Sequence, residues 1–91
     1  MPFASIELIR ARDAAQRLLD HLGLESYLFE VEPAPEAWYL RVECAAEGGW
    51  RTARLDLDKQ ALLASAADGE IYRRLLEQWR QRLGECRVEV R

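Results

Sequence analysis

The chain is poor in the residues that most often carry chemistry. It has one histidine, His21, two cysteines, Cys44 and Cys86, and one lysine, Lys59, every other basic residue being arginine. The cysteines lack C-x-x-C spacing and have no histidine nearby, which excludes the zinc and dithiol motifs built on that spacing. A disulfide needs Cα atoms within about 7 Å of each other. The segments holding Cys44 and Cys86 are not expected to be neighbours, so both are expected as reduced thiols facing the core.

Serine occurs only at Ser5, Ser26 and Ser65, none in a G-x-S-x-G setting, and there is neither a glycine-rich phosphate loop nor an H-E-x-x-H. Glu30 and Glu32 share one face of a strand, where acidic side chains are solvated. The expectation is a protein that is not an enzyme, with no cofactor and no metal. Long apolar runs are also missing, and Glu7 and Arg10 interrupt the start before any signal core develops. No membrane role is expected, and the expected location is the cytoplasm. Abundant Arg, Ala and Leu look like GC-rich bacterial coding.

What is present suits one small domain over residues 1–91. Hydrophobic residues make up 49% and charged residues 32%, enough to bury a modest core. The net charge of −3 is unevenly spread: glutamates dominate from Glu25 to Glu47, arginines from Arg73 to Arg91.

Leu8, Ala11, Ala15, Leu18 and Leu22 recur at spacings of three and four, predicting a helix from about Ile6 to Leu22 with Ser5 as cap and Gly23 as stop. His21 falls on its last turn, where a positive charge suits the helix dipole. Tyr27–Glu32 alternates as a strand and is broken by Pro33 and Pro35. From Trp38 to Leu57 two alternating arms flank Gly48-Gly49, which predicts a hairpin turning on that pair. Counting outward opposes Arg41 to Asp56, Glu43 to Arg54, Val42 to Leu55 and Leu40 to Leu57. With a four-residue loop before it, the first strand opposes Val31 to Trp38 and Phe29 to Leu40. Asp58 caps a short helix to about Ala67, Asp68-Gly69 breaks it, and a longer helix runs from about Glu70 to Leu83 before Gly84. Glu85–Arg91 alternates and is read as a fourth strand at a charged sheet edge.

The fold class is therefore α+β: an antiparallel sheet of three to four strands with helices packed on one face, in the order α-β-β-β-α-α-β. Trp38 and Trp79 are expected in the core. The other sheet face carries Leu28, Tyr39, Arg41, Trp50, Thr52 and Arg54, rimmed by Glu30, Glu43 and Asp56. Exposed aromatics and arginines on rigid strands have the composition of an interface. Tyr39, Arg41, Trp50 and Arg54 are thus the candidate partner-binding residues. The expected function is a protein-interaction module or homodimer.

Two resemblances bear on alternatives. From Ile6 to Leu83 the helix, three-strand, helix order resembles double-stranded RNA-binding domains, which implies nucleic-acid binding. That family places lysines at the start of its second helix, where this chain has Asp58-Lys59-Gln60-Ala61 with a single lysine. Nucleic acid is accordingly not the expected partner. Leu18–Phe29, with its helix-to-strand rhythm, is similar to the small acidic chaperones of bacterial type III secretion, which implies a homodimer that wraps a protein segment. This chain is too short for that family's later strands and helix. A small-molecule site between helix and sheet is a further alternative.

Overall fold

The computed structural model describes residues 6–89. Its elements are α1 (Ile6–Leu22), β1 (Tyr27–Glu32), β2 (Trp38–Ala46), β3 (Gly49–Leu57), α2 (Lys59–Ala64) and α3 (Gly69–Arg82). The expected cap Ser5 and the last residues of the expected fourth strand, Val90 and Arg91, lie outside the described residues.

The periodicity of α1 becomes its buried stripe: Ala11, Ala14, Ala15, Leu18, Leu19 and Leu22 all face the core. Small residues in the first half of that stripe let neighbouring backbone approach, while the leucines fill the second half. Gly23 ends the helix with φ +73, its N–H donating to the Asp20 carbonyl at 3.1 Å. That left-handed conformation is strained for any residue with a Cβ.

The sheet is three-stranded and antiparallel in the order β1-β2-β3. Its inner face supplies Val31, Leu40, Val42, Cys44, Leu55 and Leu57 to a core completed by α1, Leu62 of α2, and Leu75, Leu76 and Trp79 of α3. All three helices therefore cover one face of the sheet. Trp79 is buried as expected, whereas Trp38 is only half-buried at the core margin, with Lys59 Nζ 5.2 Å from its ring centre.

Both strand registers differ from the expected ones by two residues. The hairpin loop is Glu47-Gly48, with Ala46 opposite Gly49, and the pairs run through Val42–Ala53, Arg41–Arg54, Leu40–Leu55 and Tyr39–Asp56 to Trp38–Leu57. The Arg41–Asp56 and Glu43–Arg54 pairs do not form. Likewise Val31 faces Leu40 and Phe29 faces Val42, because six residues, 33–38, connect the paired ends Glu32 and Tyr39. A slip of two leaves every side chain on its expected face, since strand alternation has period two. The slip brings Trp38 opposite Leu57 and needs positive φ at the second loop position, met by Gly48 at +89.

The C-terminal segment corrects a second expectation. There is no fourth strand among the described residues; Cys86 and Val88 make isolated antiparallel bridges to Ala46 and Leu24. The segment is not at a sheet edge. It wedges between the chain entering β1 and the end of β2, with Arg87 N–H donating to Ala45 O at 2.7 Å and Arg87 O accepting from Glu25 N–H at 2.8 Å. Divergence of those two strand ends leaves the Ala45 carbonyl and the Glu25 N–H without a partner on each other, and the inserted segment satisfies both.

That wedge makes Cys44 and Cys86 neighbours. They form a disulfide with Cα atoms 5.5 Å apart, both sulfurs belonging to buried residues. The expected reduced thiols are thus corrected, for a tertiary reason: the chain after α3 returns to the sheet end where Cys44 faces inward.

The helices after the sheet begin at their caps. Asp58 accepts from Ala61 N–H at 3.1 Å, and Asp68 accepts from Glu70 and Ile71 N–H at 3.0 and 3.2 Å. The Asp68-Gly69 break is therefore the N-terminus of α3. Gly84 does not stop that helix as Gly23 stops α1: it has no positive φ, and α3 closes with Leu83 N–H donating to Trp79 O at 2.8 Å.

Candidate interaction surface on the outer sheet face

With the helices on one side, the opposite side of the sheet is a grid of side chains set by strand pairing. Reading across from β1 through β2 to β3, Leu28, Glu43 and Thr52 form one row, Glu30, Arg41 and Arg54 the next, and Glu32, Tyr39 and Asp56 the last. Beyond the first row lie Ala45 and Trp50, next to the hairpin loop.

The four candidate residues separate into two places. Tyr39, Arg41 and Arg54 converge: the Arg54 guanidinium carbon lies 4.0 Å from the Tyr39 ring centre, a cation–π stack. Arg41 and Arg54 sit directly opposite each other, an arrangement that repels in isolation. Glu32 resolves it by reaching across the sheet, one carboxylate oxygen 3.7 Å from Arg41 Nη1 and the other 3.4 Å from Arg54 Nε. Trp50 lies four residues from Arg54 along β3, about 13 Å at strand rise. It is 62% exposed, as is Leu28 at 64%.

The face therefore has an apolar end, Leu28 with Trp50, and a charged end organised by Glu32. Glu32 is the residue the sequence reading left out of the site. Its strand alternation places it on the right face, but the expected register paired both arginines with other acids and gave it no work.

Elsewhere, polar contacts join elements. His21 Nδ1 lies 3.1 Å from the Tyr72 hydroxyl, which lies 3.4 Å from the Arg17 carbonyl, tying α1 to α3. The Tyr27 hydroxyl donates a short hydrogen bond to Asp20 Oδ1. Burial, then that bond and the Asp20 charge, push the Tyr27 pKa up to about 12. Among the described residues no cluster of three or more His, Cys, Asp or Glu side chains is placed to hold a metal ion, and no helix is long and apolar enough to cross a membrane.

Compared with models of known protein families, with curated proteins and with solved structures, the chain matches none.

Proposed function

We propose that this domain is a non-catalytic protein-interaction module that binds through its outer sheet face. The observation that carries this reading is the helix-free face, with exposed Trp50 and Leu28 at one end and the stacked Tyr39–Arg54 pair beside Arg41 at the other. Trp and Tyr present large contact area on two rotatable bonds, and Arg54 is already held by its stack on Tyr39 and its ion pair with Glu32, so little freedom is lost on binding. The fitting partner is a protein surface with an apolar recess for Trp50 and a carboxylate to compete with Glu32 for the arginines.

The test is capture of partners on the tagged chain and on a Tyr39→Ala, Arg41→Ala, Trp50→Ala variant whose circular dichroism is unchanged. A protein held by the first and lost by the second supports the face. A protein held equally by both removes it. Nucleic acid retained with steep salt dependence favours the competing reading, for which the exposed Arg73 and Arg74 of α3 are the groups that would meet phosphate.

Location is part of this proposal. The buried Cys44–Cys86 bond supports an oxidising compartment over the cytoplasm expected above, because reducing thiol pools keep cysteine pairs open.

A further inference from the structure

We infer that the free edge of β3, with the trough between β3 and α3, binds an extended segment of a partner protein that carries an acidic side chain and adds to the sheet as a strand. This goes beyond the outer-face reading, because it uses the strand edge and the inner side of the sheet.

β3 ends the sheet, bonded to β2 alone. Ala46 and Gly49 flank a two-residue loop, which makes them a hydrogen-bonded pair, and bonding then alternates along the hairpin. The N–H and C=O groups of Trp50, Thr52, Arg54 and Asp56 therefore point away from β2. A row of alternating donors and acceptors is matched by extended main chain, so the chemistry of the edge asks for a polypeptide. The opposite edge is the poorer template: β1 is six residues long and runs into Pro33, whereas β3 has nine residues and no proline.

Beside the β3 edge the inner side of the sheet is open. Two adjoining recesses of 320 and 260 Å³ form a trough between β3 and α3. Leu55 and Trp79 line the first, Arg51 and Ala53 the second, and Gln81 and Arg82 line both. In a strand added to β3, every second side chain points to this side. Ala53 and Leu55 are themselves two positions apart, so successive inward side chains of the segment fall one in each recess.

Charge selects what those side chains carry. Arg51 is engaged by Glu85, Nε to Oε1 at 2.9 Å. Arg82 is exposed and makes no ion pair among the described residues. Asp56 also borders the trough, but its side chain belongs to the outer face, in the row of Tyr39 and Glu32. The uncompensated charge on the inner side is thus the Arg82 guanidinium, and Asp or Glu is the side chain that complements it.

Fluorescence anisotropy of the oxidised full chain with two labelled peptides matched in length to β3 tests this, one alternating Val and Glu, the other Val and Lys. They share strand propensity and differ in charge. The Val/Glu peptide should bind, the Val/Lys peptide should not, and bound peptide should raise amide protection at Trp50, Thr52, Arg54 and Asp56 in NMR exchange. Arg82→Glu should weaken binding about tenfold with circular dichroism unchanged. Thr52→Pro removes an outward N–H and no bond to β2, and should abolish binding. Tyr39→Ala with Arg41→Ala should bind the peptide as before, which separates this inference from the fate of the outer-face reading. No binding of the Val/Glu peptide, equal binding of both peptides, full affinity in Arg82→Glu or Thr52→Pro, or loss in the Tyr39/Arg41 variant would overturn it. Self-association of the free chain that already protects those four amides also overturns it, by giving the edge to a second copy. If Thr52→Pro fails to fold, amide exchange unaltered by bound peptide overturns it instead.

Discussion

Tyr27 shows how one residue joins two elements. It starts β1, and its hydroxyl donates to Asp20 on α1, so the phenol fixes where the strand leaves the helix. Burial is the larger reason its pKa rises from 10.0 to about 12, with the Asp20 bond and charge adding to it. The folded chain holds this proton more tightly than the unfolded chain. The associated stability is complete below pH 10 and is lost as the pH rises through 12. Urea unfolding should therefore show stability falling across that window. Tyr27→Phe should cost about 0.5–1.5 kcal/mol at neutral pH and flatten the alkaline decline. An unchanged slope in the variant would assign the decline to another group. Glu32 works at the same scale: one carboxylate between two arginines allows like charges to share a row of the sheet.

At the scale of elements, α3 depends on how it begins. Gly69 is its first residue, a poor helix former, so Asp68 has to satisfy the free N–H groups of the first turn, and it bonds two of them. Asp68→Ala should lower the unfolding free energy by about 0.5–2 kcal/mol. Asp68→Asn should keep most of it, since the amide oxygen also accepts. Equal losses in both, measured by denaturant midpoint at constant slope, would mean that charge near the helix dipole matters more than the hydrogen bonds. The hairpin is the element where sequence counting chose the wrong register. Two glycines offered two turns, and the pattern of apolar residues is blind to a shift of two.

At the scale of the molecule, the Cys44–Cys86 bond joins the end of the central strand β2 to the segment after the last helix. It closes a sequence separation of 42. Constraining a loop of that length in the unfolded chain stabilises the fold by about 4 kcal/mol, a large share of what a small domain has. Cys86→Ser, or the reduced and alkylated chain, should lose about that much and should lose amide protection first at Glu25, Arg87 and Glu89, whose N–H groups hold the wedge. Stability within about 0.5 kcal/mol of the oxidised chain would show that the wedge holds without the bond. Alkylation of free thiols at the moment of cell lysis, followed by mass analysis, checks the compartment: an unlabelled chain is expected.

Local pattern was sufficient for the three helices and the three strands of the sheet, for the α+β class and for the face each of those strands' side chains occupies, but not for Glu85–Arg91, whose alternation does not become a strand among the described residues. Those properties depend on the period of apolar residues and on caps such as Asp58, and both are written in neighbouring positions. Tyr39, Arg41, Trp50 and Arg54 were legible as sharing the sheet face away from the helices for the same reason, with Trp50 and Arg54 exposed and Tyr39 and Arg41 half-buried. Their division into an apolar end and a Glu32-centred cluster was not, because it depends on register, which the loop geometry at Glu47-Gly48 and the pairing of Trp38 with Leu57 decide together. The disulfide and the inserted segment were further out of reach. They exist because α3 delivers residues 86–89 to the gap where β1 and β2 part, and distance in space between Cys44 and Cys86 has no counterpart in their distance along the chain.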